Sequence, residues 1–163
     1  MRIAELLAEQ QVAFESLPHP LAFTAQKLAK YLRVSGSRVA KSVLLRGPAG
    51  HLLAVLPATH RVDTERLTRL LDGPVRLATG REVAEVFRDC EWGVVPPFGT
   101  LYGLCTLLEE TITPDTPLVF ETHTHVQAVR LLCRDFERLE GPRRLPFARR
   151  DLPGSPRSPA GRG

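Results

Sequence analysis

The sequence predicts a single domain of the α/β (α+β) class, in which helices surround a mixed, partly barrel-like β-sheet. Helical and strand patterns alternate along the chain, and a clear hairpin signal joins two of the strands. The length of 163 residues and the hydrophobic fraction of 43% are typical of one globular domain. No apolar run approaches the ~20 residues that a membrane-spanning helix requires, so no membrane partner is expected.

The helices are predicted from apolar residues at helical spacing and from residues that begin or end a helix. Thr24 can cap the second helix and Asp63 or Thr64 the third, while Thr79 or Gly80 begins the fourth. The predicted helices cover residues 3–13, 24–33, 63–71, 79–87 and 135–139.

The strands are predicted from short apolar runs that are bounded by turn-forming residues. Gly47-Pro48-Ala49-Gly50 separates the second run from the third, and such a pair of runs favours a hairpin. The predicted strands cover residues 14–17, 39–45, 52–56, 75–78, 104–108, 118–122 and 126–132.

The C-terminal segment, residues 141–163, is predicted to be a basic, disordered tail that follows a domain in residues 1–140. It is rich in Pro, Gly, Ser and Arg and has no apolar periodicity. It holds six arginines and one acid, whereas residues 1–140 hold 16 Lys and Arg and 17 Asp and Glu. The net charge of +4 therefore comes from this tail, which either binds phosphate by counterion release or is a solvated end.

Cysteine usage and the N-terminal sequence bear on the cellular compartment. The three cysteines have no close spacing and do not form a disulfide framework. The first residues carry an early acid and no long apolar segment, which argues against a secretory signal. We therefore expect a reduced, cytoplasmic protein.

A loop rich in glycine and proline is the most informative local feature. Two glycines and two prolines in seven residues hold a defined backbone, and glycine lets a ligand approach the main chain. Such a loop can direct carbonyl and N–H groups at a substrate, although a tight structural crossover would look the same. The loop consists of Gly93, Val94, Val95, Pro96, Pro97, Phe98 and Gly99.

Lys41 interrupts an apolar strand in a chain that otherwise uses arginine. The sequence has 19 arginines and three lysines, of which Lys27 and Lys30 lie on a predicted exposed helix face. An ammonium beside a sheet is a compact charge whose pKa burial can lower. Lys41 is therefore either a functional cation or a strand residue that faces solvent.

His123 and His125 are predicted to share one face of a strand, because side chains two residues apart point the same way. With Cys90, Cys105 or Cys133 they could bind zinc, but the cysteines are scattered singly and no C-x-x-C pair is present. Polar strand residues, or one histidine that donates a hydrogen bond in a site, are the alternatives. No metal is predicted.

Several common catalytic motifs are absent from the sequence. There is no G-x-S-x-G elbow, no Walker-type loop and no G-x-G-x-x-G. The cysteines lack an obvious neighbouring base. The sequence therefore supports neither a hydrolase serine nor a nucleotide cofactor, and no cofactor is predicted.

In this order along the chain, these features resemble the YbaK/ProX family of aminoacyl-tRNA deacylases, whose domain is also inserted in bacterial prolyl-tRNA synthetases. The likeness covers about residues 10–140. It rests on the lysine strand (residues 39–46), the apolar strand that follows it (residues 53–57), the glycine-proline loop with its preceding residues (89–99), and the segment from Val119 to His125.

The resemblance implies hydrolysis of the ester that joins a wrong amino acid to the terminal adenosine of a tRNA, often tRNA-Pro. It assigns substrate positioning and activity to Lys41, a framing role for the aminoacyl group to Gly93 and Pro97, and a late site histidine to His125. The implied partner is the acceptor end of a mischarged tRNA, with prolyl-tRNA synthetase as a further candidate. Alanine, serine, threonine and cysteine are the candidate amino acids.

One position departs from the family pattern. Where the family commonly has glycine two residues before the late histidine, this chain has His123. An imidazole there is expected to narrow the pocket, and a side chain would disfavour the φ > 0 backbone that glycine allows. Two alternatives to a deacylase follow from the residues: a binding module of the same fold that does not cleave the ester, and a zinc hydrolase built on His123, His125 and a cysteine.

Overall fold

The computed structural model describes residues 2–151, which form five α-helices and ten β-strands. The mixed α/β domain predicted from the sequence is confirmed. The helices are α1 (Ile3–Glu9), α2 (Ala25–Leu32), α3 (Thr64–Leu70), α4 (Gly80–Val86) and α5 (Cys133–Glu140). The strands are β1 (Glu15–Pro18), β2 (Ala40–Gly47), β3 (Gly50–Pro57), β4 (His60–Val62), β5 (Arg76–Leu77), β6 (Cys105–Glu109), β7 (Pro117–Glu121), β8 (Gln127–Leu132), β9 (Arg143–Leu145) and β10 (Ala148–Arg150).

The strands form three sheets. The largest has the order β5-β2-β3-β6-β9 and is mixed, because β2 pairs antiparallel with β3 and β5 while β6 runs parallel to both β3 and β9. A second, antiparallel sheet has the order β1-β8-β7, and β10 pairs with β4 in the third. An isolated parallel bridge between Val39 and Val119 joins the beginning of β2 to β7, so the two larger sheets meet there.

The helix ends follow the capping residues in the sequence. The side chains of Thr24, Asp63 and Thr79 each accept a backbone N–H bond three residues later, which begins α2, α3 and α4. The first helix ends earlier than the predicted residue 13. Gln11 adopts a left-handed conformation (φ 57°), and the Val12 N–H bonds to the carbonyl of Leu7, which closes the helix.

The hydrophobic core consists of three clusters. The largest is centred on Phe98, whose ring lies 5.7 Å from that of Phe120 and 5.3 Å from that of Phe136 in edge-to-face packing. A second cluster packs α2 against Val39 and Val119, and a third lies under α3. Of the helices formed by residues 2–151, none is long and apolar enough to cross a membrane.

The prediction that secondary structure ends at residue 140 is wrong. Residues 143–150 add β9 to the mixed sheet and pair β10 with β4. The Phe147 side chain is fully buried, and the buried carboxylate of Glu109 accepts the N–H groups of Phe147 and Ala148 at 2.9 and 2.7 Å. One buried acid thus joins this short, arginine-rich segment to the body. The rest of the predicted tail, residues 152–163, lies outside the described part of the chain.

Candidate functional site

His125 lies in the turn that connects β7 to β8, and so does His123. The prediction that both histidines share one face of a strand is therefore wrong. The turn is held by bonds from distant segments, because Ala22 and Glu91 donate their N–H groups to the carbonyls of His125 and His123 at 3.2 and 2.8 Å. These bonds replace strand pairing and give the two rings different surroundings.

The His125 ring is nearly buried and contacts two segments that are distant in the sequence. Its Nε2–H donates to the carbonyl of Trp92 at 2.7 Å, and because a carbonyl only accepts, the ring proton resides on Nε2. The Phe23 ring packs edge-on at 4.9 Å between centroids. The backbone N–H of His125 donates to the Glu91 carboxylate at 3.1 Å. The ring is therefore fixed with its Nδ1 atom directed away from Trp92.

Glu121, the last residue of β7, faces this Nδ1 atom. Its Oε2 atom lies 3.5 Å from Nδ1 of His125. Within residues 2–151, Oε1 of Glu121 and Nδ1 of His125 are buried polar atoms without a hydrogen-bond partner. Burial raises the pKa of Glu121 to about 7, with the nearby His125 acting in the opposite direction. This pair can bind a further polar or charged group.

The glycine of the predicted loop lies against the same histidine. Gly93 has a φ of +85°, and a Cβ atom built on it would lie 3.8 Å from Nε2 of His125. A side chain would thus fit in space, but the left-handed backbone strongly favours glycine. The first residue of the predicted loop and the late histidine therefore form one site, with the Trp92 carbonyl between them.

The second half of the loop enters the core instead. Pro96, Pro97, Phe98 and Gly99 are buried, and Phe98 is the centre of the largest hydrophobic cluster. A Cβ atom on Gly99 would lie 2.5 Å from Oγ1 of Thr106, which is why glycine is needed there. The structure gives Phe98 and Gly99 a packing role, in contrast to the substrate contact predicted for them. Of the loop residues, Gly93 and Val95 are partly exposed.

His123 connects α1 to the rest of the domain through a hydrogen bond. Its ring has different partners from the ring of His125. Its Nε2 atom accepts the N–H of Ile3 at 3.2 Å, and its Nδ1 atom lies 3.5 Å from both Asp89 Oδ2 and Cys90 Sγ. Burial lowers the pKa of His123, which favours the neutral ring. Its φ is not positive, so the backbone does not require the glycine conformation. The imidazole expected to narrow the pocket therefore packs elsewhere.

The structure also bears on the zinc alternative. Among residues 2–151, the one group of three potential metal ligands is Asp89, Cys90 and His123, whose ligand atoms lie within 4.8 Å of one another, and it lacks His125. A neutral histidine that binds metal through Nδ1 carries its proton on Nε2. Here Nε2 accepts the Ile3 N–H, so the proton must reside on Nδ1. The group fits a hydrogen-bond network better than a metal site.

The cysteine in this network is not a nucleophile. Burial, opposed in part by the hydroxyl of Tyr102, raises the pKa of the Cys90 thiol to about 12. The Tyr102 hydroxyl donates to Asp89 at 2.7 Å and lies 3.6 Å from the Cys90 sulfur. The thiol therefore stays protonated near neutral pH, which favours a structural role for Cys90.

Lys41 lies near the beginning of β2, half-buried, and burial lowers its pKa while the charge of Asp151 opposes this effect. A parallel bridge pairs Val39 with Val119 on adjacent segments. Lys41 lies two residues after Val39, and Glu121 lies two residues after Val119. Because side chains alternate along a strand, both lie on the side of their strand that bears the bridged valines. Within residues 2–151, no hydrogen bond or ion pair joins Lys41 to Glu121 or His125.

The fold and this site define the class of the protein. The family model of the aminoacyl-tRNA editing domain matches residues 19–139, about three quarters of the chain, and this range includes Lys41, the glycine-proline loop and His125. The chain therefore belongs to the aminoacyl-tRNA editing domain family, and the predicted resemblance is confirmed.

The chain is similar to one segment of much larger curated relatives. It is 30% identical over 93 residues to a proline–tRNA ligase of Thermotoga neapolitana, a match that covers 56% of this chain and 16% of the ligase. It is 27% identical over 107 residues to a proline–tRNA ligase of Kosmotoga olearia, covering 65% of this chain and 18% of that protein. The chain thus spans less than a fifth of the length of these relatives.

Solved structures of similar size share the fold. The hypothetical protein APE2540 superposes with a TM-score of 0.82 at 19% identity, over 91% of this chain and all of that one. A candidate trans-editing enzyme for prolyl tRNA synthetase superposes with a TM-score of 0.74 at 24% identity, over 91% of this chain and 95% of that one. At these identities the likeness establishes the fold alone.

Sequence reasoning did not single out Glu121, Phe23 or Trp92 as parts of the site. Glu121 is the most informative omission, because an acid at the end of the apolar run Leu118–Phe120 is a signal that the sequence does carry. Phe23 has a weaker signal, since it lies directly before the capping residue Thr24.

Proposed function

We propose that this protein is a trans-editing deacylase, which hydrolyses the ester between a wrongly attached amino acid and the 3′-terminal adenosine of a tRNA. The observation that carries the proposal is the joint site of Gly93 and His125, within a chain that belongs to the aminoacyl-tRNA editing domain family. The proposal includes the cytoplasmic location that the sequence leads us to expect.

The chemistry of an aminoacyl ester suits a site without a strong nucleophile. The ester is already activated, so the protein needs to hold a water in line and to stabilise the oxyanion that forms. In our proposal the exposed backbone around Gly93 contacts the ester, and a 2′- or 3′-hydroxyl of the ribose helps to orient the water. Lys41 supplies positive charge for the terminal phosphate or for the oxyanion.

The acidic side of the site has a role in the same proposal. An aminoacyl ester carries an α-ammonium group, and the unpartnered Oε1 atom of Glu121 is a buried acceptor close to His125. Binding an ammonium would favour the ionised form of a carboxyl whose pKa burial has raised to about 7. His125 positions this carboxyl and the Gly93 backbone relative to each other.

We propose tRNA-Pro carrying a small wrong amino acid as the substrate, with alanine, serine, threonine and cysteine as candidates. A synthetase pocket separates amino acids that differ by one methylene by only ~10–200-fold, so small competitors require a second site. The similarity to segments of two proline–tRNA ligases supports the choice of tRNA, and it makes prolyl-tRNA synthetase a candidate partner.

Single-turnover deacylation of tRNA-Pro charged with each of the four amino acids tests the proposal. We expect clearance of one or two of the esters, and a loss of at least about 10-fold in rate for Lys41→Ala if the lysine stabilises developing charge. Arg46→Ala is the matched control, because Arg46 is an exposed cation on the same strand. Clearance of none of the four esters would contradict the proposal, and a wild-type rate in Lys41→Ala would remove the lysine from it.

A further inference from the structure

Exposed apolar side chains are concentrated around His125. Seven large apolar side chains are exposed in residues 2–151, and four of them surround this histidine: Leu21, Phe23, Trp92 and Val126. We call these four residues the aromatic rim. Val126 follows His125 directly, and Leu21 precedes Ala22, whose N–H bonds to the His125 carbonyl at 3.2 Å. Concentrated exposed apolar surface beside a site indicates a binding surface.

Both aromatic members contact His125, Phe23 through its ring and Trp92 through its backbone carbonyl. The Phe23 ring contacts His125 at 4.9 Å between centroids, and the Trp92 carbonyl accepts the Nε2–H of that ring at 2.7 Å. Even so, 68% of Phe23 and 61% of Trp92 are exposed to solvent. Neither ring is needed to fill the core, so both are free to stack on a flat ligand.

A basic helix begins directly beside the rim. From Ser16 to Val62 the sequence contains seven Lys and Arg and no Asp or Glu. Phe23 immediately precedes Thr24, the cap of α2, and Lys27 and Lys30 are exposed about one and two turns further along the helix. Three residues apart, they lie on one face. The near-neutral charge of residues 1–140 therefore conceals a segment of the chain that carries only basic charged residues.

From these observations we infer that the unpaired bases at the 3′ end of the tRNA stack on the aromatic rim, while Lys27 and Lys30 bind the neighbouring phosphates of the tRNA. The inference rests on the proposed function for its ligand, a tRNA. Aromatic platforms next to cations are how proteins bind single-stranded nucleic acid, since every base offers a flat face. The cationic helix favours this occupant over an apolar patch of a protein partner.

The protein carries its own probe for this inference, because Trp92 is its only tryptophan. We expect an acceptor-stem hairpin that carries no amino acid and has the single-stranded 3′ CCA end to change the tryptophan fluorescence. A blunt hairpin of the same stem should change it much less. Equal changes with both hairpins would overturn the inference. So would an absence of any change, or a fluorescence change that follows protein concentration and dimer formation in the absence of RNA.

Variants separate the stacking from the charge. Phe23→Ala should weaken binding of the overhang hairpin by about 5- to 150-fold, the range measured for loss of one base stack. Leu70→Ala is the control, since Leu70 is also exposed but lies on α3. The double variant Lys27→Ala/Lys30→Ala should make the negative slope of log affinity against log salt shallower by about 1.4. Arg81→Ala on α4 should leave the slope unchanged. Unchanged affinity in Phe23→Ala, or an unchanged salt slope in the lysine variant, overturns the corresponding part.

The outcome is independent of catalysis because the hairpins carry no amino acid. If esters are cleared but the overhang makes no difference to binding, the inference fails while the deacylase proposal stands. If the overhang binds as expected but no ester is cleared, the deacylase proposal fails and the binding surface stands.

Discussion

His123 and His125 lie two residues apart in one turn, and both rings are nearly buried, yet their surroundings differ in kind. Both nitrogens of His123 have partners within the protein: the Ile3 N–H on one side, and Asp89 and Cys90 on the other. His125 uses one nitrogen on the Trp92 carbonyl, and its other nitrogen faces Glu121 at 3.5 Å without a hydrogen bond.

This difference shows that the ring partners distinguish a structural histidine from a candidate site histidine, while burial does not. A buried group whose polar atoms are all bonded by its own chain has completed its role in folding. A buried group with an unused nitrogen, next to an exposed aromatic rim and a left-handed glycine, retains capacity for a ligand. Substitutions at the two positions should therefore have separate consequences for activity and for stability.

The largest expected effect is on catalysis, at His125. We expect His125→Ala to lower the single-turnover deacylation rate by about 100-fold or more, because the ring positions Glu121 and the Gly93 backbone, and groups at a reacting centre contribute on this scale. The measurement compares rates at saturating enzyme, with circular dichroism to establish that the variant is folded. A folded variant with the wild-type rate would contradict the role of His125.

The next effect is on stability, at His123. We expect His123→Ala to lower the free energy of unfolding by about 1–3 kcal/mol, because it leaves the buried Ile3 N–H without an acceptor and opens space beneath α1. The deacylation rate of the folded protein should stay within a few-fold of wild type. An unchanged melting temperature together with a lost rate would reverse the assignment of the two histidines.

The fold was largely predictable where local signals decide the structure. Gly47 and Gly50 close the β2–β3 hairpin as their turn residues predict, and Thr24 and Thr79 cap helices at the predicted places. These elements depend on backbone preferences that a few neighbouring residues express. The segment of β9 and β10 was missed because its strands are three residues long and are held by the distant carboxylate of Glu109.

The candidate site was predictable in some of its residues but not in their grouping. His125 and Gly93 were predicted and lie together, whereas Phe98 packs in the core and His123 under α1. The alternation His123-Thr124-His125 looks like a strand, but bonds from Ala22 and Glu91 bend it into a turn. A pattern of single residues cannot express contacts that segments about thirty or a hundred residues away provide.

The smallest expected effect concerns pH, where the two environments act in opposite directions. Burial lowers the pKa of His123, so the stability it contributes is present above its unfolded pKa and is lost as the pH falls. Burial raises the pKa of Glu121 from 4.5 to about 7, so the native state binds more protons than the unfolded state in this range. Stability from Glu121 is therefore present below pH 4.5 and is lost as the pH rises to about 7.

Glu121→Gln should remove this second loss, because the amide keeps the shape of the side chain and has no charge to bury. We expect the difference in melting temperature between the variant and wild type to increase by a few degrees from pH 5 to pH 8, in favour of the variant. A change of this order corresponds to about 1 kcal/mol in a domain of this size. The control is Glu110→Gln at an exposed position, which should track wild type at both values. Parallel pH curves for wild type and Glu121→Gln would mean that the carboxylate of Glu121 is already stabilised in the unliganded protein. Glu121 would then not need a substrate ammonium to stabilise its charge. It would also no longer distinguish the surroundings of His125 from those of His123.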